Sequence, residues 1–180
     1  NDVLQPVVDR NYARVSQDRL PALLQAINGY QGHERTRLAI HLMSLTFLRT
    51  SELIGARWDE FDWEKKRWVV PAKRMKMPTQ HIIPLAQQTL EVLQALKSAG
   101  TGEVLLFPGN LDHERPISNN TILFALYRMG FKGEMTGHGF RGVASTALHE
   151  MGLDHAHIEL QLAHQPRDRV SAAYNYAQYL

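Results

Sequence analysis

Helical periodicity on both sides of one short interruption is the feature that most limits the fold of this 180-residue chain. On either side of residues 61–85, apolar residues recur at spacings that fit one face of a helix. Within that window, Phe61 to Trp63 and Arg67 to Val70 are aromatic and β-branched, the composition of strands. Pro71 ends the second run. His81 to Leu85 supplies a third, in which Pro84 marks an edge strand or a strand end. The expected fold is therefore mainly α with a small antiparallel β-sheet, an α+β arrangement. Its Lys73–Gln80 turn forms a basic hairpin loop.

The helices follow from period and punctuation. Ser16–Ile27 reads as a short helix, with Pro21 tolerated in its first turn. His33–Arg49 is a stronger segment, with Leu38, Leu42, Leu45 and Phe47 or Leu48 at near-helical spacing. Thr50 or Ser51 is expected to cap a further short helix carrying Glu52, Leu53 and Ile54. Gln87–Ala99 closes at Gly100, and Ser118–Met129 has Ser118 as its cap and Gly130 as its stop. Arg141–Met151 stops at Gly152, Asp154 caps a helix running towards Ala163, Pro166 breaks it, and Asp168–Tyr179 begins again. Residues 1–16 carry no clear period and read as the end of a linker, leaving 17–180 as one domain. The chain opens on Asn1 rather than Met, so it reads as a fragment or a processed product.

Composition narrows the chemistry. Apolar residues at 44% and charged residues at 21% are globular proportions. No run of 18 apolar residues occurs, so no membrane-spanning helix is expected. Cysteine is absent, which removes disulfides, thiol catalysis and Cys-ligated metal sites, and fits a cytoplasmic location. The net charge of +2 says little, but its distribution says more. Between Glu64 and Lys76 lie six basic residues and one acid. Of these, Lys65, Lys66, Lys73 and Arg74 are candidates for contacts to a phosphate backbone. Taken alone, the same run also fits a solvated hairpin.

Three constellations could carry chemistry. Met135-Thr-Gly-His138-Gly-Phe-Arg141 sets an imidazole and a guanidinium three residues apart, on one face of a helix start. The Arg fork matches two non-bridging phosphate oxygens, and the His can hold a proton or a third oxygen. In Phe47-Leu-Arg49-Thr-Ser-Glu52-Leu, Glu52 stands where it would pair with and orient Arg49. Near the end of the chain, His164 is followed ten residues on by Tyr174. A Tyr hydroxyl is a poor nucleophile at its free pKa near 10 and becomes useful where cations stabilise the phenolate. His155 and His157 are two apart, do not share a helix face and find no obvious third ligand, so no metal site is expected. Trp58, Trp63 and Trp68 read as core and sheet aromatics.

Separately these patterns are weak, but their order is not. Arg49, Lys76 on a β-hairpin, His138-x-x-Arg141, His164 and then Tyr174 resemble the tyrosine recombinases, the phage integrase family. The words "TFLRTSEL", "VVPAKRMKMPTQHIIPL", "MTGHGFRGVASTAL" and "IELQLAHQPRDRVSAAYNYAQYL" are similar to the prophage and genomic-island branch, from about Arg35 to Leu180. The resemblance implies the catalytic-domain fold of the DNA breaking–rejoining enzymes, with the N-terminal DNA-binding domains of such proteins absent from this chain. It implies site-specific recombination through a 3′-phosphotyrosyl intermediate, without ATP, metal or other cofactor. Tyr174 would be the nucleophile, with Tyr176 and Tyr179 as rivals. Arg49, Arg141 and His164 would hold the scissile phosphate. Lys76 would be the general acid, with Lys73 as the fallback. His138 would be a base or a phosphate ligand. Double-stranded DNA carrying an attachment-site core would be the partner. A DNA-assembled homotetramer is implied for the full-length protein, while the isolated domain can be a monomer. The competing readings are a non-catalytic DNA-binding or regulatory domain on the same scaffold and a type IB topoisomerase-like nickase-ligase.

Overall fold

The computed structural model describes residues 12–76, 78–100 and 102–164. Among them are seven α-helices and one three-stranded antiparallel sheet. The helices are α1 (Leu20–Asn28), α2 (Glu34–Thr46), α3 (Thr50–Ile54), α4 (Gln87–Ser98), α5 (Asn119–Arg128), α6 (Gly139–Glu150) and α7 (His155–Gln161). The strands β1 (Phe61–Asp62), β2 (Arg67–Val70) and β3 (His81–Pro84) lie between α3 and α4, where the aromatic and β-branched window stands.

α2 is the axis of the fold. Leu38, Ala39, Ile40, Leu42, Met43 and Thr46 are all buried, so burial goes most of the way round the helix rather than down one stripe. α1, α4 and α5 pack around it, and α3 follows it after a sharp turn. The helix ends three residues before the expected Arg49. Phe47 adopts a left-handed conformation at φ 57° and caps it. Arg49 is extended at φ −66° and ψ 149° and occupies the N-cap of α3, the place expected of Thr50 or Ser51. A bulky residue in the left-handed region is strained, and such strain is held where surrounding structure requires it.

The sheet presents Phe61, Trp68, Val70, His81 and Ile83 to the core, through the pairings Phe61↔Trp68, Trp68↔Ile83 and Val70↔His81. The Phe61 and Trp68 rings stack at 4.8 Å. Trp68 is fully buried and its indole N–H donates to Glu60 Oε2 at 2.9 Å, whereas Trp63 lies 46% exposed outside the core. β3 is an edge strand, so Pro84 costs no ladder bond on its open side. The segment after α4 has no regular structure, yet Leu105, Leu106 and Phe107 are buried, and Leu106 N–H donates to Ala56 O at 3.0 Å.

Ser118 Oγ caps α5 by accepting from Asn120 N–H, and Asp154 Oδ1 caps α7 by accepting from Ala156 N–H. Gly130 and Gly152 close α5 and α6 at φ 91° and 76°. α6 begins at Gly139, two residues before the expected Arg141, because Thr136 Oγ1 accepts from Gly139 N–H and starts the helix earlier. The expected helix Asp168–Tyr179, and Tyr174, Tyr176 and Tyr179 with it, lie outside the described residues.

Replacing Trp68 with Ala removes the largest fully buried ring and one of the two donors to Glu60 Oε2, leaving Arg74 as the other. It is expected to destabilise the chain by about 3–5 kcal/mol. Urea unfolding would show this as a lower midpoint at unchanged slope.

Candidate active site

Glu52 is the centre of the site. It is 1% exposed and its carboxylate receives three donors. Arg49 Nη1 donates to Oε1 at 2.7 Å, Arg49 backbone N–H donates to Oε2 at 3.0 Å, and Lys76 backbone N–H donates to Oε1 at 3.4 Å. One buried carboxylate therefore fixes the rotamer of Arg49, caps α3, and pins the β2–β3 hairpin at Lys76. Burial alone would raise the Glu52 pKa. The hydrogen bonds and charge of Arg49 outweigh it and hold the carboxyl below its ordinary value, so it stays ionised. Nε and Nη2 of Arg49 make no hydrogen bond to a described residue.

Arg141 is 4% exposed, at the third residue of α6. Its Nη1 donates to Phe47 O at 2.8 Å, and its Nη2 donates to Leu162 O. These carbonyls belong to the C-caps of α2 and α7, where unpaired C=O groups and the negative ends of two helix dipoles meet a cation. The left-handed turn at Phe47 sits where its carbonyl meets Arg141, two residues before Arg49. Burial, and then the neighbouring charge of Arg49, lower the Arg141 pKa to about 10, so it remains a cation at neutral pH. Its Nε is buried and has no partner among the described residues.

His138 is the N-cap of the same helix. Partial burial, then the charges of Arg141, Arg49, His164 and Lys76, hold its imidazole below the ordinary histidine value. All four of those groups therefore lie within electrostatic reach of one ring. His164 follows α7 through a tight closure. Ala163 is left-handed at φ 48°, His164 N–H donates to Glu159 O at 2.9 Å, and Ala163 N–H donates to Leu160 O at 3.0 Å. The His164 ring is exposed, and its Nδ1 lies 3.0 Å from Glu159 Oε2. Glu159 fixes that ring through Nδ1, which leaves Nε2 for another partner.

The structure thus gathers Arg49, Lys76, His138, Arg141 and His164, with Glu52 beneath them. Tyr174 lies outside the described residues. Lys65, Lys66 and Lys73 are exposed around the sheet. Arg74 is different. Its Nη1 donates to Gly55 O at 2.7 Å, and both Nη atoms pair with the carboxylate of Glu60. Its side chain is 14% exposed, so this guanidinium ties the hairpin to the segment between α3 and β1 and is taken up by those partners. Among the described residues no three His, Asp or Glu side chains gather as metal ligands.

Sequence reasoning missed His81. It occupies a core-facing position of β3 opposite Val70 and is 7% exposed. Burial lowers its pKa to about 4, against the charge of Glu52 and a hydrogen bond to the Gln161 backbone, which both raise it. Arg141 and Arg49 lower it further. The signal was available in the strand alternation, since His81 and Ile83 point the same way in the H-I-I-P run.

Comparison with known proteins places this geometry. The family model described as "Phage integrase family" matches residues 13–179. The integrase of Enterobacteria phage P4 is 44% identical over 181 residues, covering 92% of this chain and 41% of that protein. The prophage integrase IntA of Escherichia coli (strain K12) is 36% identical over 171 residues, covering 95% of this chain and 41% of that protein. Among solved structures, the Tn1549 transposon integrase in complex with transposon right end DNA aligns with a TM-score of 0.71 at 16% identity, over 98% of this chain and 64% of that one. The fold is that of a tyrosine recombinase catalytic domain. The chain belongs to the phage integrase family, and it spans about two-fifths of the length of the curated relatives it matches.

His81 generates a stability prediction. In the unfolded chain it takes up a proton near pH 6.5, but in the fold only near pH 4, so acid favours unfolding across that window. This one residue is expected to cost up to about 3 kcal/mol of stability between neutral pH and pH 4. A His81→Gln variant is expected to lack that part of the pH dependence, read from urea midpoints across the same window. Superposable profiles for the two proteins would contradict the placement of His81.

Proposed function

We propose that this chain is the catalytic domain of a site-specific recombinase that integrates or excises a prophage or genomic island. The observation that carries the proposal is the gathering of Arg49, Lys76, Arg141 and His164 within electrostatic reach of His138. Three side chains able to bind a phosphate, a primary amine on a hairpin and a neutral imidazole fit one reaction, the exchange of a DNA phosphodiester for a tyrosyl ester.

In this reading the Tyr174 hydroxyl attacks the scissile phosphorus. The new Tyr–O–P bond forms as the bond from phosphorus to the 5′-oxygen breaks, which leaves a 3′-phosphotyrosyl enzyme and a free 5′-hydroxyl. Arg49 and Arg141 bind the non-bridging oxygens, where charge builds, and His164 donates a further hydrogen bond through Nε2. The depressed pKa of His138 keeps it neutral at pH 7, the form that accepts the Tyr174 proton or holds an oxygen. Lys76 gives a proton to the leaving 5′-oxygen. Its backbone tie to Glu52 holds the hairpin by the main chain and leaves the ammonium free to reach. The second step reverses the first, with a 5′-hydroxyl of another strand as nucleophile. The ester conserves the bond, so the exchange needs no ATP.

Four such exchanges on two duplexes require four sites, so the full-length protein acts as a DNA-assembled tetramer at its attachment core. For the chain described here, DNA binding is expected to be weak and steeply salt-dependent, because backbone neutralisation dominates it.

The test is a nicked suicide duplex carrying the attachment core, incubated without metal or ATP, followed by denaturing electrophoresis. A covalent protein–DNA adduct is expected, and it is expected to vanish in Tyr174→Phe. Arg49→Ala or Arg141→Ala is expected to slow adduct formation by about 10²–10³. An adduct surviving in Tyr174→Phe would move the nucleophile to Tyr176 or Tyr179. No adduct from the full-length protein would sink the proposal.

A further inference from the structure

The described chain begins as a strap laid across the start of α6. Ala13 O accepts from Thr136 Oγ1 at 3.3 Å, and Arg14 Nη1 donates to Gly142 O at 3.3 Å. Val15 is buried in the core. Tyr12 closes the strap, its ring centroid 4.3 Å from that of His138 and inclined at 45°. The helix is shaped to receive this segment. A side chain at Gly139 would place its Cβ 2.5 Å from Ala13 O, and one at Gly142 would stand 2.8 Å from Arg14 Cδ. Glycines in the first turns of a helix lower its stability, and here they stand where the strap crosses.

His138 itself has few restraints. Its side chain makes no capping hydrogen bond, and its ring makes no hydrogen bond to a described residue. Arg141 by contrast is fixed by two carbonyls, and Arg49 by Glu52. Among the described residues, the aromatic ring in contact with the imidazole is that of Tyr12.

We infer that Tyr12 is a positioning residue for His138, holding the imidazole against the start of α6 in the orientation the phosphodiester exchange uses. This rests on the proposed recombinase reaction, to which Tyr12 contributes no chemistry of its own. Its ring removes water from one face of the imidazole and restricts rotation about the His138 side chain. Such a restraint matters because small displacements of a catalytic group are costly in rate. The charged or titratable groups acting on the imidazole are Arg141 on α6, Arg49 at α3, His164 after α7 and Lys76 on the hairpin.

Two readouts on the 180-residue chain test this. The first is the NMR titration of the His138 ring, its signals identified by their loss in His138→Gln. Wild type is expected to titrate below the ordinary histidine range, Tyr12→Ala closer to it, and Tyr12→Phe with wild type. The second is the rate of adduct formation on the suicide duplex. It is expected to fall roughly ten- to a hundredfold in Tyr12→Ala and to be kept in Tyr12→Phe. Gly139→Ala, which favours the helix but collides with Ala13 O, is expected to shift the His138 titration in the direction of Tyr12→Ala. An unmoved His138 titration in Tyr12→Ala overturns the inference, whether or not cleavage slows. If the wild-type chain forms no adduct, the titration still decides the role of Tyr12, and the proposed reaction is decided separately on the full-length protein.

Discussion

Almost everything about the candidate site depends on one buried carboxylate. Glu52 is nearly sealed from water, yet it stays ionised because Arg49 approaches it twice, through the guanidinium and through the backbone N–H. A buried charge survives only when it is paired and its remaining lone pairs are used. Here the third donor comes from the hairpin, at Lys76. The same atom pair therefore sets an arginine rotamer, starts a helix and registers a distant loop. Arg49 and Lys76 stand 27 residues apart in sequence, and in the fold both answer to Glu52.

Arg141 solves a similar problem without a carboxylate. It is buried at the start of α6, where the dipole of its own helix is unfavourable to a cation. The carbonyls of Phe47 and Leu162, at the ends of two other helices, take its Nη protons instead. This explains two irregular places in the backbone. Phe47 accepts a left-handed conformation at the turn whose carbonyl faces Arg141, and Ala163 accepts one in the closure that follows Leu162 and leads to His164. The strain sits next to the site, as expected where geometry serves chemistry.

The sequence made the helix-rich layout legible, because α4, α5 and α7 carry caps or stops that act locally. It suggested the members of the candidate site as an ordered set, because the family resemblance supplied an order that no single spacing could, and the fold brings the described ones, Arg49, Lys76, His138, Arg141 and His164, into one region. What stayed hidden was tertiary. The run Leu38 to Leu48 reads as one helix since its apolar spacing continues past Thr46, but the demand for a carbonyl at Phe47 and an N-cap at Arg49 breaks it. Arg74 reads as a phosphate contact from its basic neighbours, and only the fold supplies Glu60 and Gly55 to capture it. His81 is polar and so did not register as core, although its place in the strand alternation buries it. Leu105 to Phe107 has neither helical nor strand period, and is buried by packing against Ala56 and its surroundings.

In the proposed reaction Arg49 and Arg141, each fixed in advance, clamp one scissile phosphate. The most direct measurement is a crystal structure of the Tyr174→Phe chain bound to a duplex of its attachment core. Both guanidiniums are expected within hydrogen-bond distance of the non-bridging oxygens of one phosphate, with Glu52 still holding Arg49 and with Phe47 and Leu162 still holding Arg141. A duplex bound with its phosphates on the hairpin lysines alone, and none between the two arginines, would contradict it.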